Sequence, residues 1–89
     1  MVWRVEFDPA ARRELKKLDP QAARRILKFL SERVLPSRNP RSLGEALQGS
    51  KLGEFWKYRI GDYRVIAHIE DRVLLILVLR VGNRRDVYR

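Results

Sequence analysis

The chain has 89 residues and a formal net charge of +9, from 20 Lys and Arg against 11 Asp and Glu. This length predicts a single domain, residues 1–89, with a thin core. With no cysteine and one histidine, His68, disulfides, thiolate metal sites and multi-histidine metal sites are excluded, and we expect neither metal nor cofactor. The longest apolar run is too short for a bilayer, and the N-terminus lacks a signal-peptide run, so we expect a cytoplasmic protein without membrane contact.

The first half of the chain predicts a strand followed by two helices. Residues 3–7 alternate apolar and polar side chains, which is typical of a short strand. Asp8-Pro9 and Asp19-Pro20 each combine an N-cap residue with a proline suited to the first helical position. The second helix should extend to Val34, with an apolar stripe made of Ala23, Ile26, Leu27, Leu30 and Val34. The short connection predicts a helical hairpin.

The second half predicts three strands after a connecting segment, residues 43–51. These are Phe55–Ile60, Tyr63–Glu70 and Val73–Val81, separated by two tight turns. The short turns require an antiparallel meander, and the first strand should pair at one of its edges. The expected fold is therefore α+β, in the order β-α-α-β-β-β, with the helical hairpin packed on a mainly antiparallel four-stranded sheet.

Strand alternation collects positive side chains on one face of this sheet. We expect four of them on the face away from the helices: Lys57, Arg59, Arg64 and Arg80, here called the cationic patch. In this prediction Arg80 shares its face with Leu74, Ile76 and Val78. An ordinary solvated face is the alternative, but such a face mixes signs because opposed like charges are destabilising. Together with the net charge, the patch predicts an anionic partner.

Two segments of the chain are similar to a known family. Residues 56–66 (WKYRIGDYRVI) and 81–88 (VGNRRDVY) together resemble the RelE/ParE superfamily of toxins from toxin–antitoxin modules, and within it the RelE branch. The resemblance implies a ribosome-dependent mRNA endonuclease that cleaves mRNA in the A site through attack by the 2′-hydroxyl. It also implies neutralisation by an acidic, RelB-like antitoxin. The expected partners are thus that antitoxin, the ribosome and mRNA.

The resemblance assigns catalytic positions to five residues: Lys57, Arg59, Arg64, Arg84 and Tyr88. We expect Lys57 to act as the base, Arg64 and Arg84 to clamp the phosphate, and Tyr88 to stack on a base. Further RNA contacts are expected from Arg80, Arg85 and Arg89. Asn83 stands where members of the family often carry a histidine, and an amide cannot exchange protons as imidazole does.

Two other functions remain open from the sequence. The first is a ParE-like toxin that inhibits DNA gyrase without nuclease activity. The second is an RNA-binding module without catalysis. Retention of basic side chains suited to a phosphate clamp favours the endonuclease.

Overall fold

The computed structural model describes residues 3–47 and 55–83. Its helices are α1 (Pro9–Lys17) and α2 (Pro20–Phe29), the second continued by a π-helical turn (Leu30–Val34). Short 3₁₀ turns lie at Pro40–Leu43 and Asp71–Val73. The strands are β1 (Arg4–Phe7), β2 (Glu45–Ala46), β3 (Phe55–Ile60), β4 (Tyr63–Glu70) and β5 (Leu75–Asn83). No helix among the described residues is long and apolar enough to cross a membrane.

Both helices begin where the Asp-Pro pairs predict. The Asp8 carboxylate accepts a hydrogen bond from the Ala10 amide at 3.0 Å, and the Asp19 carboxylate accepts one from the Gln21 amide at 3.1 Å. In each case the proline follows directly and contributes no amide that would need a partner. The two starts are therefore fixed by local chemistry, independent of the sheet.

The apolar stripe of α2 is rotated relative to the predicted one. The buried positions are spaced four residues apart: Ala22, Ile26, Leu30 and Val34. Leu27 lies outside this row and is 42% exposed, so its expected place in the core is wrong. The segment Leu30–Val34 forms a π-helical turn, in which the Leu35 amide donates to the Leu30 carbonyl at 2.9 Å. That turn keeps Leu30 and Val34 on one side.

The sheet has five strands rather than four, in the order β1-β5-β4-β3-β2. The added strand, β2, has only two residues and pairs with β3. β1 joins the edge of the meander as predicted, parallel to β5. The helices cover one face, where Tyr58, Val65 and Val78 are fully buried in the core. The expected α+β architecture, with the helices packed on a mainly antiparallel sheet, is thereby confirmed.

The last strand departs from its predicted form at two places. It begins at Leu75, because residues 71–73 form a 3₁₀ turn and Leu74 takes a left-handed conformation with φ of 52°. It also contains a bulge: β4 pairs Ile66 with Arg80 and Ala67 with Val78, which leaves Leu79 unmatched. An extra residue reverses the alternation of side chains beyond it.

Candidate functional site

The register of the sheet brings the cationic patch together. Arg59 lies opposite Arg64, and Lys57 lies opposite Ile66. On the other side of β4, Arg80 also lies opposite Ile66. Ile66 is buried but lies outside the core cluster beneath the helices, as expected for the opposite face. The four basic positions therefore occupy one region of the face away from the helices.

Arg80 reaches this face for a different reason from the one predicted. Ile76 and Val78 belong to the core on the helix side, so the expectation that Arg80 shares their face is wrong. The bulge at Leu79 shifts the alternation by one residue and turns Arg80 to the other face. Without the bulge, its side chain would point into the apolar core.

Arg64 is the most unusual member of the patch because its side chain is covered. The residue is 6% exposed and is the one charged residue in the buried set of the described part of the chain. Its guanidinium donates one hydrogen bond, to the Tyr63 carbonyl at 3.2 Å. Within residues 3–47 and 55–83 no carboxylate forms an ion pair with it. A covered cation of this kind retains donors for an external anion.

Lys57 has an acidic neighbour that the sequence did not indicate. Its ammonium lies 3.5 Å from the Glu45 carboxylate, and its side chain is 23% exposed. The contact exists because β2 pairs Glu45 directly with Lys57. A two-residue strand carries too little sequence pattern to be predicted.

Arg80 also has an acidic partner, on the first helix. Its Nε donates to both carboxylate oxygens of Glu14, at 3.0 and 3.2 Å. The same carboxylate accepts the Val81 amide at 2.9 Å. Glu14 was not predicted to matter, and a separation of more than sixty residues leaves no local signal for the contact.

Two further polar side chains of β3 and β4, Tyr58 and His68, make contacts within the protein. His68 contacts the Glu70 carboxylate through Nε2, and its ring meets Phe55 edge-on with 6.1 Å between ring centroids. The Tyr58 hydroxyl donates to the Pro40 carbonyl at 2.8 Å. Burial raises the pKa of Tyr58 to about 12. These contacts give His68 and Tyr58 roles in packing.

The C-terminal half of the predicted site lies outside the described residues. This applies to Arg84, Arg85, Tyr88 and Arg89. The last described residue is Asn83, which pairs with Tyr63 across the ladder. In the described part of the chain, no group of three or more His, Asp or Glu side chains could hold a metal ion.

Known proteins share both this sequence and this fold. Residues 5–88 match the family model described as the ParE toxin of the type II toxin–antitoxin system parDE. The chain is 35% identical to Toxin RelG of Mycobacterium tuberculosis, over 100% of this chain and 99% of that protein. It superposes on a chain of the toxin–antitoxin complex RelBE2 from the same organism with a TM-score of 0.81 and 31% identity, covering 94% of this chain and 100% of that one.

A further structural relative is the isolated RelE toxin of Escherichia coli. It matches with a TM-score of 0.73 and 27% identity, covering 97% of this chain and 90% of that one. The similarity spans the helices, the meander and the basic strands that form the patch. The chain therefore belongs to the RelE/ParE superfamily of toxins from type II toxin–antitoxin systems.

Proposed function

We propose that this protein is a ribosome-dependent mRNA endonuclease, the toxin of a type II toxin–antitoxin pair. The observation that carries the proposal is the covered guanidinium of Arg64, which has no carboxylate partner in the described residues and lies opposite the exposed Arg59. Two like charges at one cross-strand position destabilise a sheet. An anion bound between them would offset that cost, and an RNA phosphate has the charge and geometry that guanidinium groups prefer.

The proposed reaction transfers the phosphoryl group of the RNA backbone from the 5′-oxygen of one nucleotide to the 2′-oxygen of the preceding one. The 2′-hydroxyl loses its proton and attacks the adjacent phosphorus, the bond to the 5′-oxygen breaks, and that oxygen takes up a proton. The products are a 2′,3′-cyclic phosphate and a 5′-hydroxyl end. Lys57 would accept the first proton, and Arg64 with Arg84 would stabilise the negative charge on the non-bridging phosphate oxygens. Metal is not required for any of these steps.

The remaining residues of the proposed site hold the RNA in place. Tyr88 would stack on the base beside the scissile phosphate, and Arg59 would guide the backbone. Arg80, Arg85 and Arg89 would add phosphate contacts. Because few groups are suited to proton transfer, geometry must supply much of the rate. We therefore expect free RNA to be a poor substrate and mRNA held in the ribosomal A site to be a good one.

An acidic antitoxin is the proposed partner in the cell. Solved relatives from Mycobacterium tuberculosis and Escherichia coli are toxin–antitoxin complexes. The net charge of +9 favours an acidic protein that covers the basic surface. Binding of such a partner over the patch would block RNA and so inhibit the toxin.

The test is primer extension on mRNA in a purified translation system. The wild-type protein should produce cleavage in the A site that persists in the presence of a chelator. Arg64→Lys, which keeps the charge but loses the planar pair of donors, should lower the cleavage rate about 100-fold. Arg72→Lys, at an exposed turn outside the patch, is the matched control. Absence of cleavage by the wild-type protein would refute the proposal.

A second candidate function is inhibition of DNA gyrase. The observation that favours it is the matching family model, whose description names ParE. A supercoiling assay with purified gyrase separates the two functions. Inhibition of supercoiling together with intact mRNA would establish the ParE-like function instead.

A further inference from the structure

One carboxylate ties the first helix to the end of the last strand. Glu14 accepts the Val81 amide at 2.9 Å and the Arg80 Nε at 3.0 Å. Its side chain is 29% exposed and that of Arg80 is 39% exposed, so both are partly shielded from water. Three donor–acceptor contacts thus meet at two consecutive residues of β5.

These two residues lie where β5 loses its parallel neighbour. Pairing with β1 runs from Leu75 to Val78, and the Asp8 amide closes it with a hydrogen bond to the Val78 carbonyl at 2.8 Å. Beyond this point the chain of β1 turns into α1. The Glu14 carboxylate takes the position of the missing strand, because it accepts the next outward-facing amide of β5.

The bulge determines which amide faces outward. In a regular strand, the backbone amides of every second residue point to the same edge. After Val78, the next amide pointing toward α1 would therefore be that of Arg80. The extra residue, Leu79, shifts the alternation of amide directions by one residue. The Val81 amide therefore points toward Glu14 instead. The same shift turns the Arg80 side chain to the face of the patch. Glu14 therefore binds the bulged form of the strand and would lose its amide contact in a regular one.

We propose that Glu14 is a positioning residue for the proposed RNA site, an inference that rests on the proposed function. By holding the bulged end of β5, it keeps Arg80 on the patch face and sets Gly82 against Arg64. A shift of about 1 Å in a catalytic group can lower a rate about 100-fold, so a carboxylate remote from the phosphate can control the reaction.

The experiment compares three variants by single-turnover cleavage of mRNA on programmed ribosomes. Glu14→Ala removes the contacts to Arg80 and Val81 and should lower the cleavage rate at saturating ribosome by about 100-fold. The ribosome concentration at half-saturation should change less than about threefold. Glu14→Gln keeps an oxygen for the Val81 amide and should recover the rate to within about tenfold of wild type. Glu32→Ala is the control: it removes a carboxylate that pairs with Lys28, in the π-helical turn after α2. Its cleavage rate should equal that of wild type.

Hydrogen exchange provides a readout that does not depend on activity. The Val81 amide should exchange much faster in Glu14→Ala than in wild type or Glu14→Gln, whereas the Asp8 amide, bonded to the same strand, should be unaltered. Wild-type cleavage rates in a folded Glu14→Ala protein, or unchanged protection of Val81, would overturn the role of Glu14. Absence of cleavage by the wild-type protein would instead overturn the proposed function.

Discussion

Arg59 provides the sharpest prediction, because its expected effects on stability and on activity have opposite signs. It is exposed, and its cross-strand neighbour on β4 is Arg64. Like charges at directly opposed positions cost roughly 0.2–1 kcal/mol. Two unit charges about 6 Å apart in water repel by about 0.7 kcal/mol, which agrees with that range. We therefore expect Arg59→Gln to raise the free energy of unfolding by about 0.5 kcal/mol.

Urea denaturation at low salt measures this effect. For a domain of this size, a gain of about 0.5 kcal/mol corresponds to a rise of about 2–4 °C in the midpoint of thermal unfolding. The gain should shrink in 1 M NaCl, where salt screens exposed charges. It should also shrink in phosphate buffer, because a bound anion stabilises the wild-type protein at this position. Arg72→Gln removes the same charge at a remote exposed turn and should give no gain.

The same Arg59→Gln variant should cleave mRNA more slowly, since a phosphate contact is lost. A residue that lowers stability and raises activity is expected where function determines the side chain. Destabilisation of the variant by 1 kcal/mol or more would refute the repulsion argument. A stability gain equal to that of Arg72→Gln would show that net charge alone is responsible.

Three further variants test structural contacts elsewhere in the fold. Tyr58→Phe removes the hydroxyl bonded to Pro40 and should cost about 1–2 kcal/mol in urea denaturation. The pKa of Tyr58 is raised from 10.0 to about 12 in the folded protein, so wild type should lose stability from pH 10 to 12 relative to this variant. Gly44→Ala places a Cβ 2.3 Å from a backbone carbonyl of β3 and should cost at least about 2 kcal/mol in thermal unfolding. Hydrogen bonding to Arg41 lowers the pKa of Asp71, so Asp71→Asn should cost about 0.5 kcal/mol at pH 7, with the difference vanishing as acid unfolding proceeds below about pH 4.

The parts of the fold that could be predicted from sequence are those with local causes. The helix starts depend on Asp8 and Asp19, each of which bonds an amide two residues away. The meander depends on turns of two residues and on the alternation of β3 and β4. Each of these signals lies within a few residues, so no knowledge of the tertiary structure was needed.

The features that escaped prediction depend on pairing between distant segments. The bulge at Leu79 has no distinctive residue, since it is defined by the match of β5 to β4. Glu14 contacts the patch because helix α1 brings it to β5. Glu45 contacts the patch because the two-residue strand β2 pairs it with β3. In sequence, each is one acidic residue in an ordinary solvated segment. The strand positions of Lys57, Arg59 and Arg64 were therefore predictable, and the acidic neighbours of the patch were not.

Those acidic partners limit the chemistry that the patch can perform unaided. Among the described residues near the patch, Glu14 bonds Arg80, Glu45 lies beside Lys57, and Glu70 contacts His68. Each of these carboxylates already has a partner within the protein. In the proposed reaction, proton transfer would then depend on Lys57, on residues after Asn83, or on groups that the ribosome presents. We therefore expect the proposed cleavage to depend on the ribosome, and the ratio of cleavage rates on ribosome-bound and free mRNA measures that dependence directly.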